Sequence, residues 1–157
     1  MSKQRIFEIL CVVALVIFIG FMSRDASYSD KTASEVAEGV TASYDVSELN
    51  SIKRNKIKEE FAIDFTQVDS FEYFASDSIM NVDELMIIKL REDVKPDEIK
   101  EKIEKRVTDK QVLFEGYAPE QSALLKEYIL ADRKGFIFYA VGEDAEKAFA
   151  AFKSSVR

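Results

Sequence analysis

A β-hairpin is predicted by the segment Tyr128-Ile-Leu-Ala-Asp-Arg-Lys-Gly-Phe-Ile-Phe-Tyr-Ala-Val141, in which two runs rich in aromatic and branched residues flank a short connection. The connection, Arg133-Lys-Gly135, ends in a glycine that can take the positive φ of a tight hairpin turn. The second run, Phe136–Val141, is apolar at every position. We therefore expect it to run through the middle of a sheet, where both of its faces are covered.

Two further strands are predicted earlier in the chain, at Val68-Asp-Ser-Phe-Glu-Tyr-Phe-Ala75 and Leu85-Met-Ile-Ile-Lys-Leu90. Both runs are short and rich in aromatic and branched residues, and a polar stretch separates them. Apolar residues at helical spacing, together with favourable first turns, predict five helices. These helices are expected at about residues 32–40, 47–61, 96–114, 119–128 and 143–156.

The predicted element order is α-α-β-β-α-α-β-β-α. Paired strands with paired helices between them are typical of an antiparallel sheet rather than of a parallel doubly wound one. The expected fold class is therefore α+β, with an antiparallel four-stranded sheet and helices packed mainly on one face. One transmembrane helix is expected to precede this domain.

The transmembrane helix is predicted at residues 6–23, because residues 9–23 contain no charged side chain. The apolar segment is near the lower length limit for a spanning helix, so a processed signal peptide is the alternative. Its end, Gly20-Phe-Met-Ser-Arg-Asp25, has bulky and charged residues where signal cleavage favours small ones. Cys11 lies inside the apolar run, without the small preceding residues of a lipoprotein site. We therefore expect an uncleaved anchor.

The flanking charges predict the orientation of this anchor. Lys3, Arg5 and the terminal amine precede it, whereas Arg24 is followed at once by Asp25. The positive-inside rule then keeps residues 1–5 in the cytoplasm. Residues 24–31 are expected to form a linker, and residues 32–157 are expected to form an extracytoplasmic domain at the cell membrane.

The composition excludes several kinds of chemistry. The chain has no histidine and one cysteine, which excludes histidine-based acid–base catalysis, structural zinc and internal disulfides. A net charge of −7 argues against nucleic acid as a partner. The chain also lacks a P-loop and a dinucleotide-binding fingerprint, so no nucleotide and no cofactor is expected.

Carboxylates are the plentiful polar groups, and four oxygen-bearing residues cluster in the predicted loop between the first two strands: Asp77, Asn81, Asp83 and Glu84. A hard cation such as Ca²⁺ prefers such oxygen ligands, but the spacing matches no known calcium loop. An ordinary solvated loop is the favoured interpretation. No metal site and no catalytic residue is therefore predicted.

A helical corner stands out at Phe114-Glu-Gly-Tyr-Ala-Pro-Glu-Gln121, where one helix stops and another restarts on proline. Together with 84–90, 96–107 and 135–144, this corner resembles the bacterial domain-of-unknown-function family 4358, over approximately residues 33–153. The resemblance implies a membrane-anchored or lipoprotein-type surface protein of Gram-positive bacteria. It implies no activity, cofactor or catalytic residue.

Tyr117 and Gln121 are the candidate ligand-binding residues if the corner lines a groove. The alternative is structural: a tyrosine ring packed over the helix junction and a glutamine that satisfies backbone groups. We expect a non-enzymatic binding or interaction module, held to the membrane through residues 6–22, with an envelope protein or peptide as partner. The alternative function is a carboxylate-dependent extracytoplasmic hydrolase acting on cell-wall or glycan substrate.

Overall fold

The computed structural model describes residues 28–157, which form five helices and five strands. The helices are α1 (Ala33–Thr41), α2 (Arg54–Phe61), α3 (Pro96–Glu115), α4 (Pro119–Lys126) and α5 (Ala145–Ser155). The strands are β1 (Asn50–Ser51), β2 (Val68–Ala75), β3 (Glu84–Leu90), β4 (Ile129–Arg133) and β5 (Phe136–Val141). Within residues 28–157, no helix combines the length and the apolar character that crossing a membrane requires. The predicted span at 6–23 lies outside the described residues.

The strands form one antiparallel sheet in the order β1-β2-β3-β5-β4. β5 lies between β3 and β4, as its apolar sequence predicts. The hairpin turn places Lys134 at φ 52° and Gly135 at φ 84°, which are the two positive φ values of a type I′ turn. The four predicted strands are thus confirmed in place and type.

The sheet has five strands, so the prediction of four is wrong by one. β1 is two residues long and pairs with the end of β2, with Asn50 opposite Ala75. The backbone N–H of Ile52 continues this contact by donating to the carbonyl of Tyr73. These pairings hold the chain extended, and α2 begins at Arg54 rather than at about Ser47. Tertiary pairing therefore overrides the helical spacing of this segment.

Helices cover both faces of the sheet, which corrects the prediction that they pack mainly on one. β3 and β5 are buried almost throughout, and alternate residues of a strand point to opposite faces. α1 and α5 pack on the face that carries Leu85, Ile87 and Phe138. α2, α3 and α4 pack on the face that carries Met86, Ile88 and Tyr139. Because both faces are apolar, each of them requires a helical cover.

Local sequence signals set where the main helices begin. Thr32 and Glu35 form a capping box at the start of α1, with each side chain accepting from the other residue's backbone N–H. Pro96 and Pro119 occupy the first turns of α3 and α4, where no backbone N–H is needed. The long stripe of α3 then buries Ile99, Ile103, Val107 and Phe114 against the sheet.

Candidate functional site

Glu84, the first residue of β3, is an acidic side chain buried in the core. Only 3% of its surface is exposed. A buried carboxylate is costly unless it is paired and hydrogen-bonded, so its partners determine what it does. It lies on the face of the sheet that α2, α3 and α4 cover.

Three side chains donate to the two oxygens of Glu84. Arg106 of α3 binds both of them, with Nη1 2.8 Å from Oε2 and Nη2 2.9 Å from Oε1. Lys110, one helical turn further along α3, places Nζ 2.6 Å from Oε1. The hydroxyl of Tyr139 on β5 donates to Oε2 over 2.9 Å. The carboxylate is thus saturated by donors from a helix and a neighbouring strand.

Arg106 also contacts three other side chains. Its Nη2 lies 2.6 Å from Oε2 of Glu60 on α2 and 3.4 Å from the hydroxyl of Tyr73 on β2. Its guanidinium carbon lies 4.1 Å from the ring centroid of Phe61, a cation–π contact. The guanidinium therefore joins α3 to α2, β2 and β3.

Glu84, Arg106 and the side chains bonded to them form one network, in which Glu84 and Arg106 keep their charges at neutral pH. Burial alone would raise the pKa of Glu84, but the charges and hydrogen bonds of Arg106 and Lys110 outweigh it and lower that pKa to about 2. Burial opposes the charged form of Arg106 as well, yet the facing Glu84 carboxylate holds the Arg106 pKa above its usual range. Burial and the same carboxylate raise the pKa of Tyr139. At neutral pH the carboxylate and the guanidinium are charged and the phenol is neutral.

An open cavity of about 400 Å³ adjoins the network. We call it the Glu84 cavity. The loop 76–83, which joins β2 to β3, forms one wall, and Ile79 on this loop is 85% exposed. The lining residues are Lys56, Glu60, Tyr73, Ala75, Ser76, Asp77, Ser78, Ile79, Asn81, Glu84, Arg106, Lys110 and Phe114.

Neither Tyr117 nor Gln121 lines the Glu84 cavity, although both lie beside it. The ring of Tyr117 is exposed and packs against Phe114, with the ring centroids 5.1 Å apart. Oε1 of Gln121 accepts from the backbone N–H of Val82 over 2.9 Å. Gln121 thereby fixes the loop 76–83 to the start of α4. Their role in ligand binding stays a prediction.

The four oxygen-bearing residues of the loop do not converge. Glu84 points into the core, whereas the carboxylate of Asp83 lies against Gly142 on the opposite face of the sheet. Asp77 instead accepts from the side-chain amide of Asn50 over 2.7 Å. Among residues 28–157, no three acidic, histidine or cysteine side chains are grouped so that they could hold a metal ion.

Glu60 and Glu84 converge on the same nitrogen of Arg106, so the cavity does bring two carboxylates together. A glycosidase-type pair, however, requires one acid whose pKa is raised so that it carries a proton. Here the pKa of Glu84 is lowered instead, because Arg106 and Lys110 stabilise its charge. Glu84 therefore does not supply the protonated acid that the hydrolase alternative requires.

Sequence reasoning missed this network, although it left a signal. Arg106 and Lys110 are four residues apart and flank the buried stripe position Val107, so one side of α3 carries two cations close to the core. Glu84 is the first residue of a strand that is otherwise almost wholly apolar. A charged residue at the edge of a core-facing stripe indicates a buried counterion, but the sequence alone does not say which of the many acids provides it.

The fold and this network together define an α+β domain with a helix-covered antiparallel sheet and a buried charged centre beside an open cavity. A family model described as Domain of unknown function (DUF4358) matches residues 42–142, and the chain belongs to this family. The match includes Glu84, Arg106, Lys110 and Tyr139. No curated protein and no solved structure is detectably similar to the chain.

Proposed function

We propose that the protein is a non-enzymatic binding module of the cell envelope, anchored in the membrane by one helix at residues 6–23, and that it binds its partner at the Glu84 cavity. The observation that carries this proposal is an open cavity lined by two hydrogen-bonded groups, Glu84 and Arg106, that stay charged at neutral pH. Such groups orient a ligand well but transfer protons poorly, because general acid–base catalysis needs a pKa near the working pH.

Exposed apolar side chains next to the cavity support a binding role. Ile79 and Met80 on the loop 76–83 are exposed, as are Leu113 and Tyr117 near the α3–α4 corner. The bond from Val82 to Gln121 holds these two regions beside one another. Apolar groups that gather at one end of a domain are typical of interaction sites.

The path of the chain into the domain also supports this proposal. The hydroxyl of Tyr28 donates to the carbonyl of Arg91, and the backbone N–H of Ser29 donates to the carbonyl of Lys134. Both contacts lie at the end of β3 that is opposite to Glu84. The seven residues of β3 span roughly 20 Å at 3.3 Å per residue. An anchor that precedes Tyr28 would therefore leave the Glu84 cavity facing away from the bilayer and open to a partner.

Site-directed photo-crosslinking in cells tests the binding role. A photoreactive phenylalanine analogue replaces Ile79 in the full-length chain, and the matched control carries it at Lys147, which is exposed on α5 across the sheet. We expect a discrete crosslinked product from position 79 and none from position 147. Equal products from both positions, or none from position 79, would refute the proposed surface.

Protease accessibility tests the anchor and its orientation. In cells whose walls have been made permeable while the membrane stays intact, added protease should digest residues 32–157 and leave a short N-terminal fragment in the membrane. A cytoplasmic protein serves as the control for membrane integrity. Full protection of the domain under these conditions would contradict the outside location.

A further inference from the structure

We infer that the Glu84 cavity and the neighbouring Tyr117 ring bind a segment of an uncharged, hydroxyl-rich chain, namely a neutral saccharide. This inference rests on the proposed binding function and names the chemical class of its ligand. Three observations carry it. The charges of the cavity pair among themselves, its remaining polar atoms include both donors and acceptors, and an exposed aromatic ring lies beside it.

The charges that line the cavity balance one another. Three cations and three carboxylates are present: Lys56, Arg106, Lys110, Glu60, Asp77 and Glu84. Arg106 and Lys110 both form ion pairs with Glu84. The remaining cation, Lys56, lies 3.7 Å from Glu60. A charged ligand group would compete with these existing pairs and would find no net charge to attract it, whereas an uncharged ligand has neither disadvantage.

Side chains of the loop 76–83 keep donors free for a ligand. The side-chain oxygens of Ser76, Ser78 and Asn81 accept from backbone N–H groups of this loop. Their own O–H and N–H groups bond to no acceptor in the part of the chain that the structure describes. Lys110 adds a charged donor, because an ammonium group has three N–H bonds and Glu84 takes one of them over 2.6 Å.

Two carboxylates keep acceptor atoms free. The amide of Asn50 donates to Oδ2 of Asp77, and Oδ1 receives no hydrogen bond from residues 28–157. Arg106 donates to Oε2 of Glu60, whereas Oε1 of Glu60 has only the longer contact with Lys56. A ligand that donates and accepts can therefore use both sets of atoms. A hydroxyl group combines the two roles on one uncharged atom, and a sugar ring carries several hydroxyl groups.

Aromatic surface beside the cavity fits the apolar faces of sugar rings. Phe114 lines the cavity, and the ring of Tyr117 packs on it with the centroids 5.1 Å apart. Tyr117 is 55% exposed, so its ring is open to a ligand. The electron-rich face of such a ring attracts the polarised C–H groups of a sugar. Because Tyr117 lies outside the cavity, a saccharide chain reaches both places more readily than a single sugar does.

Saturation-transfer difference NMR on the full-length chain tests the ligand class, in micelles of a detergent without a sugar headgroup. The neutral probes are chitotriose, cellotriose and maltotriose. Trigalacturonate is the anionic probe, deacetylated chitotriose the cationic probe, and Ac-Ala-Ala-Ala-amide the neutral peptide. We expect the strongest transfer to a neutral trisaccharide and weaker transfer to its monosaccharide. Absence of transfer to every neutral trisaccharide, or stronger transfer to a charged sugar or to the peptide, would overturn the inference. Equal affinity for trisaccharide and monosaccharide would overturn the binding of a chain.

The dependence of binding on salt tests whether the ligand is held without charge. Salt screens the attraction between exposed charges and has little effect on hydrogen bonds to a neutral group. A tenfold increase in sodium chloride should therefore change the dissociation constant of the neutral trisaccharide by less than about twofold. Weakening by more than this would show that charge attraction holds the ligand, against the inference.

Variants at Asp77 separate recognition of a hydroxyl group from recognition of an amine. Asp77→Asn removes the charge but keeps an acceptor oxygen, so it should retain most of the binding, whereas Asp77→Ala should weaken it about fivefold. The matched control is Asp45→Ala, since Asp45 lies outside the cavity and accepts a hydrogen bond from the backbone N–H of Ser47. This control should bind like wild type. Equal losses in Asp77→Asn and Asp77→Ala would indicate a cationic ligand and overturn the inference.

Variants at Tyr117 test the aromatic contact. Tyr117→Phe keeps the ring and should retain most of the binding, whereas Tyr117→Leu should weaken it about fivefold. Asp77 and Tyr117 are both exposed, so their replacement leaves the core intact, and circular dichroism establishes that each variant is folded. Wild-type affinity in Tyr117→Leu would overturn the aromatic contact.

The two proposals fail in different ways. If position 79 crosslinks to a partner in cells but no neutral trisaccharide binds, the binding surface stands and the ligand class is wrong. If a neutral trisaccharide binds equally to wild type, Asp77→Ala and Tyr117→Leu, the site within the cavity is wrong.

Discussion

Arg106 and Glu84 form a buried, bidentate ion pair that joins the long helix α3 to the central strand β3. The two residues are 22 positions apart in the chain, and both line an open cavity. Removing one partner of such a pair leaves an uncompensated buried charge, which costs far more than the loss of a surface pair. Because the loss of one partner of the buried pair is so costly, measurements of protein stability can test the role of the pair.

Glu84→Gln should lower the free energy of unfolding at neutral pH by about 3 kcal/mol or more. The variant keeps the size of the side chain but leaves Arg106 and Lys110 without their buried counterion. Urea denaturation followed by circular dichroism measures this loss. The matched control is Glu115→Gln, since Glu115 forms only an exposed pair with Lys126, and its effect should stay below about 1 kcal/mol. Equal effects of both variants would contradict the structural role of the pair.

The difference in stability between wild type and Glu84→Gln should disappear in acid. The folded-state pKa of Glu84 is about 2, below its ordinary value of 4.5. A carboxylate with a depressed folded-state pKa contributes stability above its unfolded-state pKa and loses it as the pH falls through the folded-state value. The difference should thus be full above about pH 4.5 and shrink towards pH 2. A difference that grows on acidification would show that the pKa is raised instead.

Gly142→Ala should destabilise the domain by about 1–3 kcal/mol. Gly142 has φ +139°, and an added Cβ would lie 2.9 Å from Oδ1 of Asp83. Thermal unfolding measures the effect. Gly116→Ala is the matched control: Gly116 has φ −80° and nothing within 4 Å of an added Cβ. It should be neutral or stabilising by up to about 1 kcal/mol, because alanine restricts the unfolded chain.

Gln121→Met should loosen the loop 76–83. Methionine keeps the length of the side chain but removes the oxygen that accepts from the Val82 backbone N–H. The cost should be about 1 kcal/mol, and hydrogen exchange at the Val82 amide should accelerate. Gln121→Glu retains an acceptor oxygen and should leave that exchange rate near the wild-type value. Unchanged exchange in Gln121→Met would show that the bond does not hold the loop.

Much of the fold follows from local sequence signals. Three kinds of signal act over only a few residues and predict their elements closely. They are the prolines in the first turns of α3 and α4, the capping box of Thr32 and Glu35, and the glycine of the hairpin turn. β1 was missed because Asn50 and Ser51 have no strand pattern of their own and are held only by pairing with β2. Helices on both faces of the sheet were not predicted, although β5 was correctly placed inside the sheet. The apolar character of β3 and β5 on both faces already requires helices on each side.

The sequence predicts only the surroundings of the candidate site. The corner that contains Tyr117 and Gln121 is distinctive in the sequence, and it lies next to the Glu84 cavity. The network itself joins Glu84, Arg106 and Tyr139 from two strands and a helix, and such pairing depends on strand register and helix rotation. The chain has 29 acidic residues, and no local signal marks Glu84 as the one that is buried among residues 28–157.

The most direct test of the account is the yield of photo-crosslinked partner from position 79 in cells, compared between the wild-type background and Lys110→Met. If the Glu84 cavity is the binding site, position 79 gives a discrete product whose yield falls strongly in Lys110→Met and is unchanged in Lys126→Met, while position 147 gives none. A product from position 79 that is equally abundant in all three backgrounds, or a product from position 147 alone, would contradict the account.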